Sequence, residues 1–347
     1  MAYTTIDKPD DYFNTILYTG TGATNAITGV GFQPDFFWFK NRGGNYHVLG
    51  DSIRGITKFL YSNDTSAEVT NTTVIDSLDA DGYTLGNNSN ASEVVNISPN
   101  SMVSWNWLAN GAGVSNTAGS ITSTVSANTT SGFSIVSYTG NATAGATIGH
   151  SLGTTPSMII AKRRSAIEDW GVYHKSMGAS KYINLNTTTA EQSSTSRWNG
   201  TEPTPFVFSV NTHESVNASG DTYIAYCFAD VKGFSKAFSY TGNGSADGVF
   251  TYCGFKPAFL LVKSTGADNW CMLDNKRDTF NVMDKRLFPN LSNAESTGVP
   301  TVVDFVSNGF KLRTSDSSFN LNGQSFIGFA IAEHPFVTST SVPTTAR

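Results

Sequence analysis

The sequence predicts an all-β protein of three tandem β-sandwich or jelly-roll-like modules with little helix. Three observations predict it. Among 347 residues, 39% are apolar and only 14% charged, against roughly a quarter charged in ordinary soluble domains. Ser, Thr, Asn and Gly replace the missing charge. That mixture suits strands and tight turns, because Ser, Thr and Asn compete with a helical backbone for its hydrogen bonds. Second, one set of landmarks recurs three times in the same order. Third, short alternating runs are separated by turn residues about every ten positions, the spacing of sandwich and jelly-roll folds.

The landmarks follow the chain. A Tyr-Thr-Gly triplet closes the first strand of each module, at Tyr18–Gly20, Tyr138–Gly140 and Tyr240–Gly242. A Pro then opens an alternating run that ends in Lys40, Lys162 or Lys263, which reads as a turn entering a strand. A short strand beginning with an aromatic follows: YHVLGD, WGVYHK and WCMLDN. Asp51/Arg54 and Asp274/Arg277 recur here, with His174 and Met177 in their places in the second copy. These pairs are read as structural ion pairs beside a turn. Next comes an Asn four residues before an Ala: Asn63/Ala67, Asn186/Ala190 and Asn290/Ala294. A later strand starts at DGYTL, PFVFSV or NGFKL. The last strand is VSWNWLA, YIAYCFA or FIGFAIA. In the second copy Ile224, Tyr226 and Phe228 face one way and Ala225, Cys227 and Ala229 the other.

The predicted modules occupy residues 1–110, 131–231 and 232–336. Residues 111–130 form a Gly/Ser/Thr/Asn-rich linker or an edge strand, and 337–347 an extended tail that orders only against a neighbour. About 100 residues can enclose a core, so the modules are expected to be separate beads. Three similar modules could also form a threefold ring. Helix is expected only as a turn or two near Ser52–Leu60 and Ala179–Tyr182.

The net charge is −5 and no basic run exceeds a pair, so the stripe that a nucleic-acid binder needs is missing. The N-terminus does not read as a secretory signal, and no apolar run approaches the roughly 18–20 residues that span a bilayer. Cys227, Cys253 and Cys271 show neither metal-ligand nor disulfide spacing and read as core residues. Sequons such as Asn71, Asn128 and Asn243 read as polar turns. The five histidines do not recur in register. Asp76, Asp79 and Asp81 match a calcium loop only at Asp79-x-Asp81-Gly82, which reads as a turn. No nucleophile elbow, P-loop or recurring carboxylate pair is present. No catalytic residue, metal or cofactor is expected, and the chain reads as non-enzymatic.

Glycan binding is the remaining chemistry, through exposed aromatics flanked by polar groups. Trp38, Trp105, Trp107, Trp170 and Trp270 fall on repeat strands and are assigned to the core. Trp198 lies in the polar stretch SSTSRWNGTEP with no evident counterpart. Arg197, Trp198 and Asn199 are therefore the candidate glycan or partner contact.

The opening MAYTTIDKPDDYFNT, the strings GFQPDFFWFKNR and YIAYCFADVKGFSK, and the close VPTTAR resemble three-repeat virion surface proteins of marine tailed bacteriophages. The resemblance covers nearly the whole chain. It implies a structural component made in the host cytoplasm and displayed on the virion surface. The forms it implies are a tail-fibre-like or head appendage with host-glycan attachment, or a capsid decoration. Its expected partners are capsid, tail or adaptor proteins and a host cell-surface glycan, without nucleic acid or membrane insertion, and its expected assembly is a homotrimer. A free lectin or a polysaccharide depolymerase is the alternative from another class.

Overall fold

The structure is a computed structural model that describes residues 3–87, 93–297 and 302–344. Module 1 contains β1 (Phe13–Thr19), β2 (Asn25–Ile27), β3 (Phe36–Asn41), β4 (His47–Asp51), β5 (Lys58–Tyr61), β6 (Val69–Thr70), β7 (Ile75–Asp79), β8 (Gly82–Leu85) and β9 (Ser101–Trp107). They form a large sheet, β1-β9-β3-β4-β5-β6, and a small one, β2-β8-β7.

Module 2 follows with β10 (Val114–Asn116), β11 (Ser123–Asn128), β12 (Phe133–Thr139), β13 (Ala146–Gly149), β14 (Pro156–Arg163), β15 (Gly171–His174), β16 (Lys181–Asn184), β17 (Gln192–Ser193), β18 (Val207–Val210) and β19 (Thr222–Ala229). Its sheets are β10-β11-β12-β19-β14-β15-β16-β17 and β13-β18. Module 3 has β20 (Ser235–Thr241), β21 (Phe250–Tyr252), β22 (Phe255–Ser264), β23 (Trp270–Asp274), β24 (Val303–Val306), β25 (Gly309–Leu312) and β26 (Ser325–Pro335), in sheets β20-β26-β22-β23 and β21-β25-β24. The all-β sandwich class is as the sequence predicts, and the paired strands are antiparallel.

Helix falls elsewhere than expected. Among the described residues it is confined to a 3-10 turn at Pro9–Asp11 and to α1 (Glu214–Asn217) and α2 (Ser317–Asn320). Ser52–Arg54 and Ala179–Ser180 are turns that lead into β5 and β16. Of the two forms expected for residues 111–130, they take the strand form: β10 ends the sheet, and β11 pairs with β12 from Ser123↔Tyr138 to Asn128↔Phe133. The tail, through residue 344, folds back on its own chain instead of waiting for a neighbour. Val337 bridges Pro343, and the Ser339 N–H donates to Asp7 at 2.6 Å. Residues 345–347 of the predicted tail lie outside the described residues.

The main departure concerns the core. Each module does bury a core between its two sheets, but the outer faces of the three large sheets are buried too. They meet in one central cluster drawn from all three modules. Along β3, Phe36 and Trp38 enter the central cluster while Phe37 and Phe39 enter module 1's own core. Met158/Ile160 against Ile159/Ala161 on β14, and Phe259/Leu261 against Leu260/Val262 on β22, repeat the division. The predicted alternation on β19 holds. Ile224, Tyr226 and Phe228 face the centre, and Ala225, Cys227 and Ala229 face module 2's core. The modules are therefore lobes of one body rather than beads.

Candidate functional site

The landmark residues close the three lobes into a ring. Register makes His47, Trp170 and Trp270 equivalent: His47 and Trp270 pair with Lys40 and Lys263, and Trp170 occupies the matching place beside Lys162. The backbone N–H of each donates to an Asn side chain, His47 to Asn63 at 2.8 Å, Trp170 to Asn186 at 2.9 Å and Trp270 to Asn290 at 3.0 Å. That is the role of the recurring Asn. Each ring then reaches the preceding lobe. Trp170 Nε1 donates to the Tyr61 carbonyl at 2.8 Å and Trp270 Nε1 to the Asn184 carbonyl at 2.9 Å. His47 lies against the Phe288 backbone of module 3 and accepts at Nδ1 from Trp38 Nε1 at 2.9 Å. Its Nε2 reaches no partner at full hydrogen-bond distance.

A second triplet has the same cyclic order. The N–H of Glu68 donates to Arg164 O at 2.8 Å, Glu191 to Thr265 O at 2.9 Å and Glu295 to Arg42 O at 2.7 Å. Ion pairs reinforce two of these seams, Arg164–Glu68 at 2.8 Å and Arg42–Glu295 at 2.6 Å. At the third, Thr265 replaces the arginine and Glu191 turns to Lys181 of its own lobe at 2.7 Å. Each lobe contacts the next through equivalent residues and the third returns to the first, which is heterologous closure with pseudo-threefold symmetry.

The predicted ion pairs belong to the same seams. Arg54 Nε lies 2.5 Å from Asp51, both side chains fully buried, and Tyr226 of module 2 donates to Asp51 at 2.8 Å. Arg277 and Asp274 repeat this at 2.6 Å, with Trp105 Nε1 of module 1 donating to Asp274 at 3.1 Å. In module 2 the pair is replaced by His174, whose Nε2 meets the Gly328 carbonyl of module 3 at 3.1 Å. Burial drives His174 down to about 4 and holds it neutral. Lys40, Lys162 and Lys263 are also buried, which lowers them to about 7, 8 and 8. Their amines are spent on carbonyls, Lys40 on Ser292 at 3.2 Å and Lys162 on Thr65 at 3.1 Å, both across seams.

The candidate glycan contact is not exposed. Trp198 and Arg197 each keep only 2% of their surface, and Trp198 packs edge-on to Tyr173 at 6.1 Å. The Arg197 guanidinium sits 3.8 Å over the Tyr182 ring. Asn199 is half-buried in the left-handed region at φ 56°. The physical reason lies in the small sheet. Asn211 N–H donates to Arg197 O, as Gly86 does to Val74 O and Arg313 to Val302 O. Trp198 therefore stands where Ile75 and Val303 stand, both core residues. Module 2 lacks the third small-sheet strand, and Trp198 plugs that place. The polar letters around it conceal this equivalence.

The core assignments of the remaining tryptophans and of the cysteines hold. Trp38, Trp105, Trp107, Trp170 and Trp270 are buried. The three cysteines are free and buried, their thiols pushed up by burial, those of Cys253 and Cys271 to about 12. Asp81 accepts from the N–H groups of Gly29 and Gly31 at 3.0 and 2.6 Å. His213 caps α1 through Ser215 N–H. Among the described residues no His/Cys/Asp/Glu group is arranged to hold a metal, and no helix is long and apolar enough to cross a membrane.

What the sequence reading missed is module 3's surface. Phe250 and Tyr252 on β21 are exposed, at 45% and 50%. Their register equivalents on β13 are Thr147 and Gly149, so aromatics standing where the repeat has small residues were the available signal. Clefts of about 350 and 360 Å³ lie beside these residues, and one of about 370 Å³ continues along β20 past Ser239 and Tyr240 towards Lys181 and Glu191 of module 2.

The class so defined is an all-β, three-lobed protein whose single chain closes a pseudo-threefold ring around a shared core. The chain matches, over residues 8–335, the family described as a domain of unknown function, DUF7483, and belongs to it. The matched span takes in all three lobes. No curated protein and no solved structure matches.

Proposed function

We propose that the chain is a non-enzymatic structural protein of a tailed-bacteriophage virion, displayed on the particle's exterior and seated on a threefold or quasi-threefold support. One observation carries the reading: a single chain presents three equivalent lobes around one axis. A closed ring of this kind matches a trimeric partner surface without needing three copies of itself. We therefore propose a monomer on a threefold partner as the basic unit, in place of the homotrimer expected from sequence. The phage resemblance of the chain's opening, middle and closing strings supplies the setting.

A cryo-electron reconstruction of the native particle tests it. Density over local threefold positions of the shell makes the protein a decoration. Density at the tail or a unique vertex makes it an adhesion appendage with a host-surface glycan as the natural target. Absence from the particle overturns the proposal and returns the lectin and the depolymerase.

A further inference from the structure

We infer that the open edge of module 3, between β20 and β21, is an acceptor slot for an extended strand of another protein, and that this strand carries an acidic residue. This deepens the docking reading above, on which it rests for the partner's setting.

Module 2 shows the slot filled. There the linker strand β11 lies on the edge of β12 and also reaches the small sheet. Ile121 N–H donates to Thr147 O at 3.0 Å, and Ser123 Oγ donates to Gly149 O at 2.9 Å. The sandwich mouth is thereby closed, and Ile148 is fully buried. In module 1 the mouth is bridged by the lobe's own loop: Asn14 Nδ2 donates to Gly29 O and Val30 O at 3.3 and 3.2 Å.

Module 3 has no added strand, and side chains alone span its mouth: Lys236, at the register position of Asn14, and Tyr3, whose hydroxyl donates to Gly254 O at 2.8 Å. Its β20, equivalent to β12, is the terminal strand of its sheet. The short junction from β19 to β20 leaves no chain to add a strand. Phe250 and Tyr252 stand exposed where the linker covers Thr147 and Gly149. Between them Thr251, only 7% exposed, has an Oγ1 with no hydrogen-bond partner. Tyr252 O, equivalent to the Gly149 O that β11 satisfies, is served at 3.0 Å by Lys236 Nζ, a flexible side chain standing in for a strand. The three clefts noted above follow this line, with Lys236 and Tyr252 shared by two of them and Ser239 and Tyr240 by another two. At the start of β20 the Ser235 and Ala237 amides are held by Val231 O and Asp230 Oδ1, at 2.9 and 2.8 Å, and the edge is open beyond them; such an edge pairs with an extended segment by strand addition, and alternate side chains supply the specificity.

Charge selects the occupant. Lys175 is paired with Asp230, whereas Lys232 and Lys236 lie over the rings of Tyr3 and Tyr252 at 4.4 and 5.0 Å. The slot is locally basic in a chain of net charge −5. By register with β11, where Ala127 faces Ser134, the strand residue facing Lys236 is the one in the place of Ala127. An acid there forms a cross-strand pair.

The test uses the full chain and synthetic peptides with the sequence of residues 119–129 (GSITSTVSANT), unchanged and with Ala127→Asp or Ala127→Lys. Amide hydrogen exchange is read along β12 and β20. In the free protein the edge-facing Ser239 amide, beyond the Ser235 and Ala237 amides held by Val231 and Asp230, should exchange fast while its β12 counterpart at Ser137, covered by β11, is protected. Adding peptide should slow β20 and leave β12 unchanged. The Asp peptide should bind a few-fold more tightly than the parent and the Lys peptide more weakly, on the order of the ~0.2–1 kcal/mol of a cross-strand charge pair, with the difference shrinking in high salt. Phe250→Asp, at an exposed position, should weaken all three peptides. No protection at millimolar peptide, or equal binding of Asp and Lys peptides, overturns the inference. So does protection of β20 that rises with protein concentration alone, which assigns the slot to a second copy. Protection by an anionic polysaccharide but not by peptide assigns it to a glycan and overturns it equally. Each outcome is independent of where the protein sits on a particle, so failure here leaves the virion proposal to its own test.

Discussion

Trp270→Ala tests the shared core most sharply. The side chain is fully buried in the central cluster, and its Nε1 holds the Asn184 carbonyl of module 2. Removing a buried Trp costs about 3–5 kcal/mol in packing. Orphaning the buried carbonyl adds about 1–3 kcal/mol. The sum, about 4–8 kcal/mol, is a large part of the ~5–15 kcal/mol that typically separates folded from unfolded protein. Because β3, β14 and β22 all contribute to that cluster, the loss should spread through the molecule. Urea unfolding followed by hydrogen exchange is the assay. The variant should lose protection together in Phe36–Asn41, Pro156–Arg163 and Phe255–Ser264, at one lowered midpoint. Trp270→Phe, which keeps a six-membered ring but loses the donor and part of the indole's volume, should cost less than the alanine variant but no less than the hydrogen-bond share of about 1–3 kcal/mol. Weakened module 3 strands with module 1 protection unchanged would mean independent beads, and the argument from the central cluster would fail.

Two further outcomes follow from the landmarks. A Cβ at Gly20, Gly140 or Gly242 would lie 2.3 Å from the carbonyl oxygen of Ile97, Ala218 or Leu321. Gly140→Ala should therefore destabilise by about 1–3 kcal/mol, the usual cost of overpacking, and a thermal melt reads it. The buried lysines make stability depend on pH. Lys40 sits near 7 in the folded chain against an ordinary value of 10.5, and Lys162 and Lys263 near 8. The unfolded chain thus binds more protons between about 7 and 10.5, so stability should rise with pH across that window. Below it the penalty for charging Lys40 is fully present. Above pH 10 the buried tyrosines, held neutral by the fold, reverse the trend. Lys40→Met should flatten the slope from pH 7 to 9.5 in denaturant melts, and an unchanged slope would remove the lysine from the account.

Much of the architecture was legible in the letters because repetition exposes it. The Tyr of each Tyr-Thr-Gly donates its hydroxyl to a carbonyl, at Val95, Val216 and Phe319. The Gly permits the contact beside it. The recurring Asn, Lys and Asp/Arg all proved structural, each with a hydrogen-bond geometry that few other side chains can replace. Even the double burial left a trace. FFWF, MIIA and FLLV are continuous apolar runs, as expected of strands covered on both faces, though they were read as faces of separate sandwiches.

Sequence alone determined the class, the repeat and the identity of the core strands, since strand propensity, turn chemistry and alternation are local properties. Tertiary structure decided everything that depends on which face meets which neighbour. It turned three beads into one ring. It made the linker a strand of module 2, and it seated Trp198 in the core through a register that polar neighbours disguised. It also left module 3's edge open. The physical reason is common to these cases: burial and edge pairing are set by contacts between residues far apart in the chain, which no window of sequence contains.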